Sequence, residues 1–469
     1  MKSLVMRSLL TLNWPRGRAS HGRASRGRAS RGRASLSGLL ALIAVALAPQ
    51  LASATKIESI RTPAGIEVWL VRDPTVPLLA INFGFRGGSA QEPQDKGGAI
   101  NMMGSLLDEG AGEVDAKTFQ ERLERGAIEL SFTAGRDTFR GSLRTLKENQ
   151  DEAFELLRLA MNEPRFAPDA VERIRAQIVS RLQRQSTSPN EIATKTWWET
   201  AFPGHPYGRP GNGTVESVAK VTAADMRALL KRVLTRDTLK IGVVGDIDAA
   251  TAGRLIDRAF GTLPAKGDLT PIPDVAMQGI GKRIVIDLDV PQTVVQFGGP
   301  GVKRSDPDFM PAYLMNHVLG GGSFSSRLYR EVREKRGLAY GVSDQLLWLY
   351  HAAVHVGGTA TRNDATKDTI EVIEAEVARM AKEGPTADEL EKAKTYLKGS
   401  FALGLDTSTK ISNQLVSMQL DNLGIDYIDR RSALIDAVTL DDTKRMAKRL
   451  LDGGMLLTVV GRPQGVTTK

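Results

Sequence analysis

An α+β fold made of two copies of one unit, each a mixed or antiparallel sheet covered by helices, is the class this 469-residue sequence predicts. Three observations carry the prediction. Short motifs recur at a near-constant offset. Val76-Pro77 with Phe83-Gly84 returns as Val290-Pro291 with Phe297-Gly298 after 214 residues, Val221-Thr222 with Asp225 as Val438-Thr439 with Asp442 after 217, and Val243-Val244-Gly245 as Val459-Val460-Gly461 after 216. Within each copy, period-two apolar runs alternate with stretches of helical period. Finally, the chain beyond residue 54 is long enough for two domains of about 200 residues each.

Residues 1–54 stand apart from that fold. They hold nine basic residues and no acidic one, and a five-residue period, Arg-Gly-Arg-Ala-Ser, runs from residue 16 to residue 35 with His21 once replacing the leading Arg. An apolar stretch from Leu36 to Ala48 follows, and then the small residues Ala52-Ser53-Ala54. Basic region, apolar region and small-residue site, in that order, read as a secretory signal peptide cleaved near Ala54, with export to the periplasm or beyond; a retained N-terminal anchor is the alternative. The apolar run is shorter than the roughly 20 residues that span a bilayer, so no transmembrane segment is expected in the mature chain. Removing nine of the 63 basic residues leaves 54 against 54 acidic ones. The net charge of +9 therefore leaves with the presequence, and a nucleic-acid partner is not expected. There is no cysteine, which excludes disulfides, a thiolate nucleophile and zinc–thiolate sites.

The first copy, residues 55–262, opens with strands at Ile66 to Val71 and Leu78 to Phe85. Helices are expected over Gly97 to Leu107 and Ala116 to Gly126. Strands follow through Leu130 to Leu143, and then a long helix near Glu148 to Met161. Val171, Ile174, Ile178 and Leu182 lie on one face of a helix over Asp169 to Gln185. Thr222 and Asp225 form a capping box for a helix ending near Leu234, and the strand Lys240 to Val244 closes the copy. Residues 263–282, with Pro264, Pro271 and Pro273, read as a linker to the second copy, 283–469.

Three segments carry the chemistry. They are Gly97 to Leu107, the loop His205-Pro206-Tyr207-Gly208-Arg209-Pro210 before Gly213-Thr214, and the stretch Leu319 to Tyr340 with Gly320-Gly321-Gly322-Ser323-Phe324-Ser325-Ser326-Arg327-Leu328, Arg333 and Tyr340. In order and spacing they resemble the pitrilysin-like (inverzincin) metallopeptidases. That family includes insulin-degrading enzyme and the mitochondrial processing peptidases, whose bacterial branch this chain is most similar to. The resemblance covers essentially all of the chain beyond the presequence. It implies duplicated α+β domains and a zinc motif, H-x-x-E-H, on the first motif helix.

The zinc motif is missing. The resemblance places the first His at Ile100, the Glu at Met103 and the second His at Gly104, with the third ligand near Ser180 or Arg181. Two imidazoles four apart on a helix grip zinc while the Glu takes a proton from bound water. None of the residues present can do either, so no metal site and no cofactor is expected in this chain. In the family, an Arg and a Tyr from the C-terminal domain reach the catalytic domain, where the Arg binds substrate carbonyls and the Tyr hydroxyl stabilises the oxyanion. Arg333 and Tyr340 match these positions. Ser326 to Arg336 reads as a helix stopped at Gly337, which lets the two side chains converge.

The expectation is a non-zinc subunit, inactive alone, that supplies Arg333 and Tyr340 in trans to a homologous zinc-bearing H-x-x-E-H partner cleaving short or unfolded peptides. Gly320, Gly321, Gly322 and Phe324 are candidates for substrate contact, although glycines for a tight helix entry explain the run equally well. The same resemblance allows a non-catalytic structural role, as in the family's core subunits of respiratory complexes, or a homodimeric peptide-binding role.

Other candidates read as structural. Asp108 and Glu109 without a His suit a solvated helix end. His351 and His355, taken on one strand, would be about 13 Å apart and could not share an ion. His205 sits in a turn-rich loop, and His317 in an apolar helix pattern. Gly320 to Gly322 lacks the Lys-Ser/Thr of a phosphate-binding loop.

Overall fold

The computed structural model describes residues 56–469; the expected signal peptide and its repeat lie outside them. In the first half, β1 (Ile57–Arg61), β2 (Glu67–Arg72) and β3 (Leu78–Arg86) precede the motif helix α1 (Ala99–Gly104) and α2 (Ala116–Arg125). The hairpin β4 (Glu129–Ala134) and β5 (Thr138–Leu146) leads into α3 (Gln150–Asn162), α4 (Pro168–Gln185), α5 (Pro189–Ala201), α6 (Val215–Ala219) and α7 (Ala223–Val233). Then come β6 (Lys240–Gly245) and α8 (Ala249–Phe260). The half thus ends on a helix rather than on the strand at 240–244, and it begins with a strand, β1, that the apolar pattern did not reveal.

The second half repeats the plan. Strands β7 (Arg283–Asp287) and β8 (Gln292–Pro300) precede α9 (Phe309–Asn316) and the one-turn α10 (Arg327–Tyr329). The hairpin β9 (Ala339–Trp348) and β10 (Ala353–Arg362) follows, then α11 (Thr366–Glu383), α12 (Ala387–Leu403), α13 (Ser408–Leu420), α14 (Tyr427–Asp436), α15 (Leu440–Leu451) and β11 (Leu456–Gly461). The sheet orders are β1-β2-β6-β3-β5-β4 and β7-β11-β8-β10-β9. They superpose strand for strand once β1 is set aside, and in each only the pair β2/β6 or β7/β11 is parallel. The recurrent Thr-x-x-Asp pairs are capping boxes at the starts of α7 and α15, each hydroxyl accepting from the backbone N–H three residues on. Such a cap contributes about 1 kcal/mol.

The repeated Phe-Gly has a packing cause. Phe83 and Phe297 are fully buried, and each covers a glycine on the neighbouring strand, Gly141 and Gly357, where any Cβ would overlap the ring. The glycine after each Phe makes room for a helix from the other half. A Cβ on Gly84 would meet Leu420 of α13 at 3.1 Å, and one on Gly298 would meet Trp197 of α5 at 2.7 Å. Helix α13 lies on β3 and β6 of the first sheet, while its counterpart α5 lies on β8 and β11 of the second. Each sheet therefore packs its own helices on one face and an exchanged helix on the other. Helices on one face only would have left Trp69, Val71 and Val244 to water; instead they join the core of the second half.

Residues 263–282 contain no helix or strand, but they are not a loose tether. Thr270 N–H donates to Gln91 Oε1 (2.8 Å) and its carbonyl accepts from Gln91 Nε2 (3.0 Å). Val275 N–H donates to the His351 carbonyl (2.9 Å) and Gln278 N–H to that of Ala201 (2.8 Å).

Candidate functional site

Helix α1 follows Gly98, whose φ of +89° is the left-handed turn that only glycine adopts freely. Its orphan amides are met by Glu92, which accepts from Gly98 N–H (3.0 Å) and Ile100 N–H (2.7 Å). Burial pushes the Glu92 carboxyl up to about 7 against those hydrogen bonds and the nearby Arg209. Arg209, from the His205–Pro210 loop, donates to the Glu92 carbonyl (3.0 Å), so that loop locks the entrance of α1. Glu92 was missed from sequence because it precedes the helix by several residues and fits no capping-box spacing.

The side chains that α1 presents are apolar and enclosed. Ile100 and Met103 are fully buried in the first half's core, and Gly104 lies against Phe139, whose ring carbon would be 3.1 Å from any added Cβ. Ser180 and Arg181 are exposed on α4, where Arg184 donates to Ser180 Oγ (2.6 Å). The four positions thus present no buried donor cluster. Neither the chemistry of these residues nor their packing fits zinc.

Arg333 and Tyr340 are brought together. The Arg333 guanidinium lies over two rings, 4.3 Å from the centre of Tyr340 and 5.0 Å from that of Tyr329. Stacking leaves the in-plane N–H edge available, and among the described residues no carboxylate reaches ion-pair distance of it. Tyr340 is 85% exposed, and Phe324, 72% exposed, extends the aromatic surface by meeting Tyr329 edge-on at 5.1 Å.

The segment holding Arg333 departs from the regular helix expected over 326–336. After one α-turn at Arg327–Tyr329 it widens to a π-turn at Arg330–Glu334, closed by Lys335 N–H to the Arg330 carbonyl (3.0 Å). The wider turn leaves the Glu331 carbonyl to accept from Arg336 Nη1 (2.9 Å). Gly337, at φ +61°, then turns the chain so that Tyr340 opens β9. Beneath it, buried Arg327 is bidentate to Glu389 (2.8 and 2.5 Å) and donates to the Gly384 carbonyl (3.0 Å). Burial raises the Glu389 pKa, but the hydrogen bonds from Arg327 and Thr386 and the Arg327 charge together outweigh it and bring the group down to about 2. Glu331 reaches about 2 in the same way, burial being outweighed by Lys335 and Arg336.

The glycine run is corrected by the structure. Gly320 and Gly322 are buried, and a Cβ on Gly320 would lie 2.6 Å from the Asp344 amide nitrogen of β9. These two glycines serve close packing around a second π-turn, His317–Gly321. Of the four proposed substrate contacts, only Gly321 and Phe324 face solvent.

The remaining candidates go to separate partners. His351 and His355 do not share a strand: His351 is in the β9–β10 turn with Asp274 at 3.4 Å, and buried His355 on β10 bonds Asp344 at 3.0 Å. His205 Nδ1 accepts from Tyr207 N–H (3.1 Å), and His317 stacks on Tyr396 with ring centres 5.1 Å apart. Glu109 pairs with Arg173 (2.5 Å), while burial raises the Asp108 carboxyl.

Comparison with known proteins agrees with this architecture. The model for "Insulinase (Peptidase family M16)" matches residues 67–215, and that for "Peptidase M16 inactive domain" matches residues 220–397. The non-peptidase homolog YmxG of Helicobacter pylori is 27% identical over 333 residues, 71% of this chain and 77% of that protein. An uncharacterized zinc protease of Streptomyces coelicolor is 25% identical, over 85% of this chain and 88% of its own. Among solved structures, the peptidase M16 inactive domain from Pseudomonas fluorescens superposes with a TM-score of 0.81 at 25% identity, covering 88% of this chain and 99% of that one. With both halves matched in order, and together well over half of its length, the chain belongs to peptidase family M16.

Proposed function

We propose that this chain is the non-zinc subunit of an exported heterodimeric peptidase. It supplies Arg333 and Tyr340 to the active site of a homologous H-x-x-E-H partner that cleaves short or unfolded peptides. One observation carries the reading: a guanidinium held over two rings, with no carboxylate at ion-pair distance among the described residues, beside the exposed Tyr340. In that arrangement the partner supplies the zinc chemistry. Arg333 donates to backbone carbonyls of the peptide, and Tyr340 donates to the oxygen on which negative charge develops; donors held in place for that charge lower a barrier by a few kcal/mol. The enclosed, apolar α1 supports inactivity of the chain alone, as does the relative named a non-peptidase homolog.

The second reading is a non-catalytic scaffold or peptide-binding homologue. It is favoured by the fact that contact with the Tyr329 and Tyr340 rings already gives Arg333 a place in the fold without substrate. A peptidase assay on a quenched unstructured peptide separates the two, run with this chain, the partner and their mixture. Activity confined to the mixture, and lost with Arg333→Ala and with Tyr340→Phe, is the expected result. Equal activity of partner and mixture, indifferent to both substitutions, leaves the scaffold reading.

A further inference from the structure

Between the two halves lies a cleft of about 580 Å³ that the Arg333 site does not use. Its walls are the end of β3, the start of β5, the 269–272 stretch, the turn before α9 and the far end of β9. Trp348 and Tyr340 are eight residues apart on that strand, so the cleft is about 27 Å along it from Tyr340.

The charges lining the cleft do not cancel. Arg86, Arg136 and Arg304 have no carboxylate at ion-pair distance among the described residues. The Arg86 guanidinium lies 5.1 Å over the Tyr350 ring. Arg304 is held 4.1 Å from the Phe309 ring centre and 5.2 Å from that of Tyr427, whose hydroxyl accepts from its Nη2 (2.8 Å). Stacked guanidinium groups keep their in-plane donors for a planar or tetrahedral oxyanion.

The acids of the walls are already engaged. Asp137 accepts from the Tyr207 hydroxyl (2.6 Å) and from Tyr350 N–H (2.9 Å). Asp421 accepts from Trp348 Nε1 (3.3 Å). Lys303 is paired with Asp274 (2.5 Å). The hydroxyl of Tyr350, by contrast, is shielded from solvent and has no hydrogen-bond partner among the described residues. A shielded donor of this kind ordinarily has an acceptor.

We propose that the cleft binds a small ligand through an oxyanion, a carboxylate or a phosphoryl group, held by Arg86 and Arg304 with the Tyr350 hydroxyl donating. The site is independent of the peptidase reading and stands even if that reading fails.

Isothermal titration of the full chain without its presequence tests it, with three probes: inorganic phosphate, a short peptide with a free C-terminal carboxylate, and the same peptide amidated. Saturable binding of phosphate identifies a phosphoryl ligand. Binding of the free but not the amidated peptide identifies a chain-end carboxylate. In either case the affinity falls about tenfold or more in Arg86→Gln, Arg304→Gln and Tyr350→Phe, as expected for a lost hydrogen bond to a charged group. Tyr350→Phe keeps the ring and removes only the hydroxyl, so it decides the matter if either arginine variant fails to fold. No saturable binding of any probe, or undiminished binding in Tyr350→Phe, overturns the proposal.

Discussion

Arg333 is held by geometry rather than by charge. Its guanidinium lies over the rings of Tyr329 and Tyr340, and among the described residues no carboxylate pairs with it. Arg333→Lys keeps the charge but loses the planar fork and the stacking. The expected outcome is a mixed-subunit peptidase activity as low as that of Arg333→Ala, with a melting temperature close to wild type, because a half-exposed side chain carries little of the stability. Activity retained by the lysine variant would show that charge alone is used. Arg327, two turns away, should behave oppositely. It is 3% exposed, bidentate to the partly buried Glu389 and 3.6 Å from the buried Glu376, so Arg327→Ala takes a buried cation from two carboxylates and costs about 3 kcal/mol in a denaturant titration. The same anchor sets an acid limit. Glu389 and Glu331 have folded-state pKa values of about 2 against an ordinary 4.5, so the unfolded chain binds their protons first as pH falls. Their stabilisation is full above about pH 4.5 and is lost as pH drops toward 2. Melting temperatures followed across that window should fall less steeply in Glu389→Gln than in wild type.

At the scale of elements, α1 shows how far loss of the zinc motif has gone. Writing His at 100 and 104 and Glu at 103 restores the letters but not the site. Positions 100 and 103 are inside the apolar core, and a side chain at 104 meets Phe139. Burying three polar groups without partners costs several kcal/mol. The triple variant is expected to melt well below wild type and to carry no stoichiometric zinc by elemental analysis; one zinc per chain at unchanged stability would refute this packing account. The departure from H-x-x-E-H is legible in sequence because it is a matter of residue identity. So are the long amphipathic helices such as α4, and the capping boxes of α7 and α15, whose signals are local. The π-turns at His317–Gly321 and Arg330–Glu334 are not legible, since apolar periodicity does not distinguish a wide turn from a regular one; at the first, Gly320 lies against Asp344 of β9, a contact only the fold reveals. The burial of Gly320 and Gly322 was undecided in sequence, where substrate contact and a tight helix entry explained the run equally well. A glycine run looks like a pliable loop until the strand beside it is known. His351 and His355 fell on one predicted strand because the apolar run hides the hairpin turn between β9 and β10.

At the scale of the molecule, the duplication explains how the halves are joined. The 214-residue offset of Phe83-Gly84 and Phe297-Gly298 was visible in sequence, but its meaning was not: each glycine admits a helix from the opposite copy. Helix α5 closes the second sheet and α13 the first, so neither half has a complete core without the other. Trp197 of α5 is fully buried and donates from Nε1 to the Leu456 carbonyl of β11 (3.2 Å). Its ring fills the space above Gly298, and Thr458 Oγ1 donates to the Ala193 carbonyl on the same helix (3.0 Å). Replacing Trp197 with Ala removes the largest side chain at that contact and orphans the Leu456 carbonyl, at a cost of about 3–5 kcal/mol. If the halves were independent domains, calorimetry of Trp197→Ala would show one transition lowered and a second left in place. Reciprocal exchange predicts otherwise. Loosening α5 uncovers the second sheet directly and drags on the first half, to which α5 belongs, while α13 remains bound to a first sheet that is itself losing support. Wild type and variant should each melt in a single transition, the variant's at lower temperature, with calorimetric and van't Hoff enthalpies equal. Two resolved transitions in the variant would show that the exchanged helices decorate the sheets without coupling them.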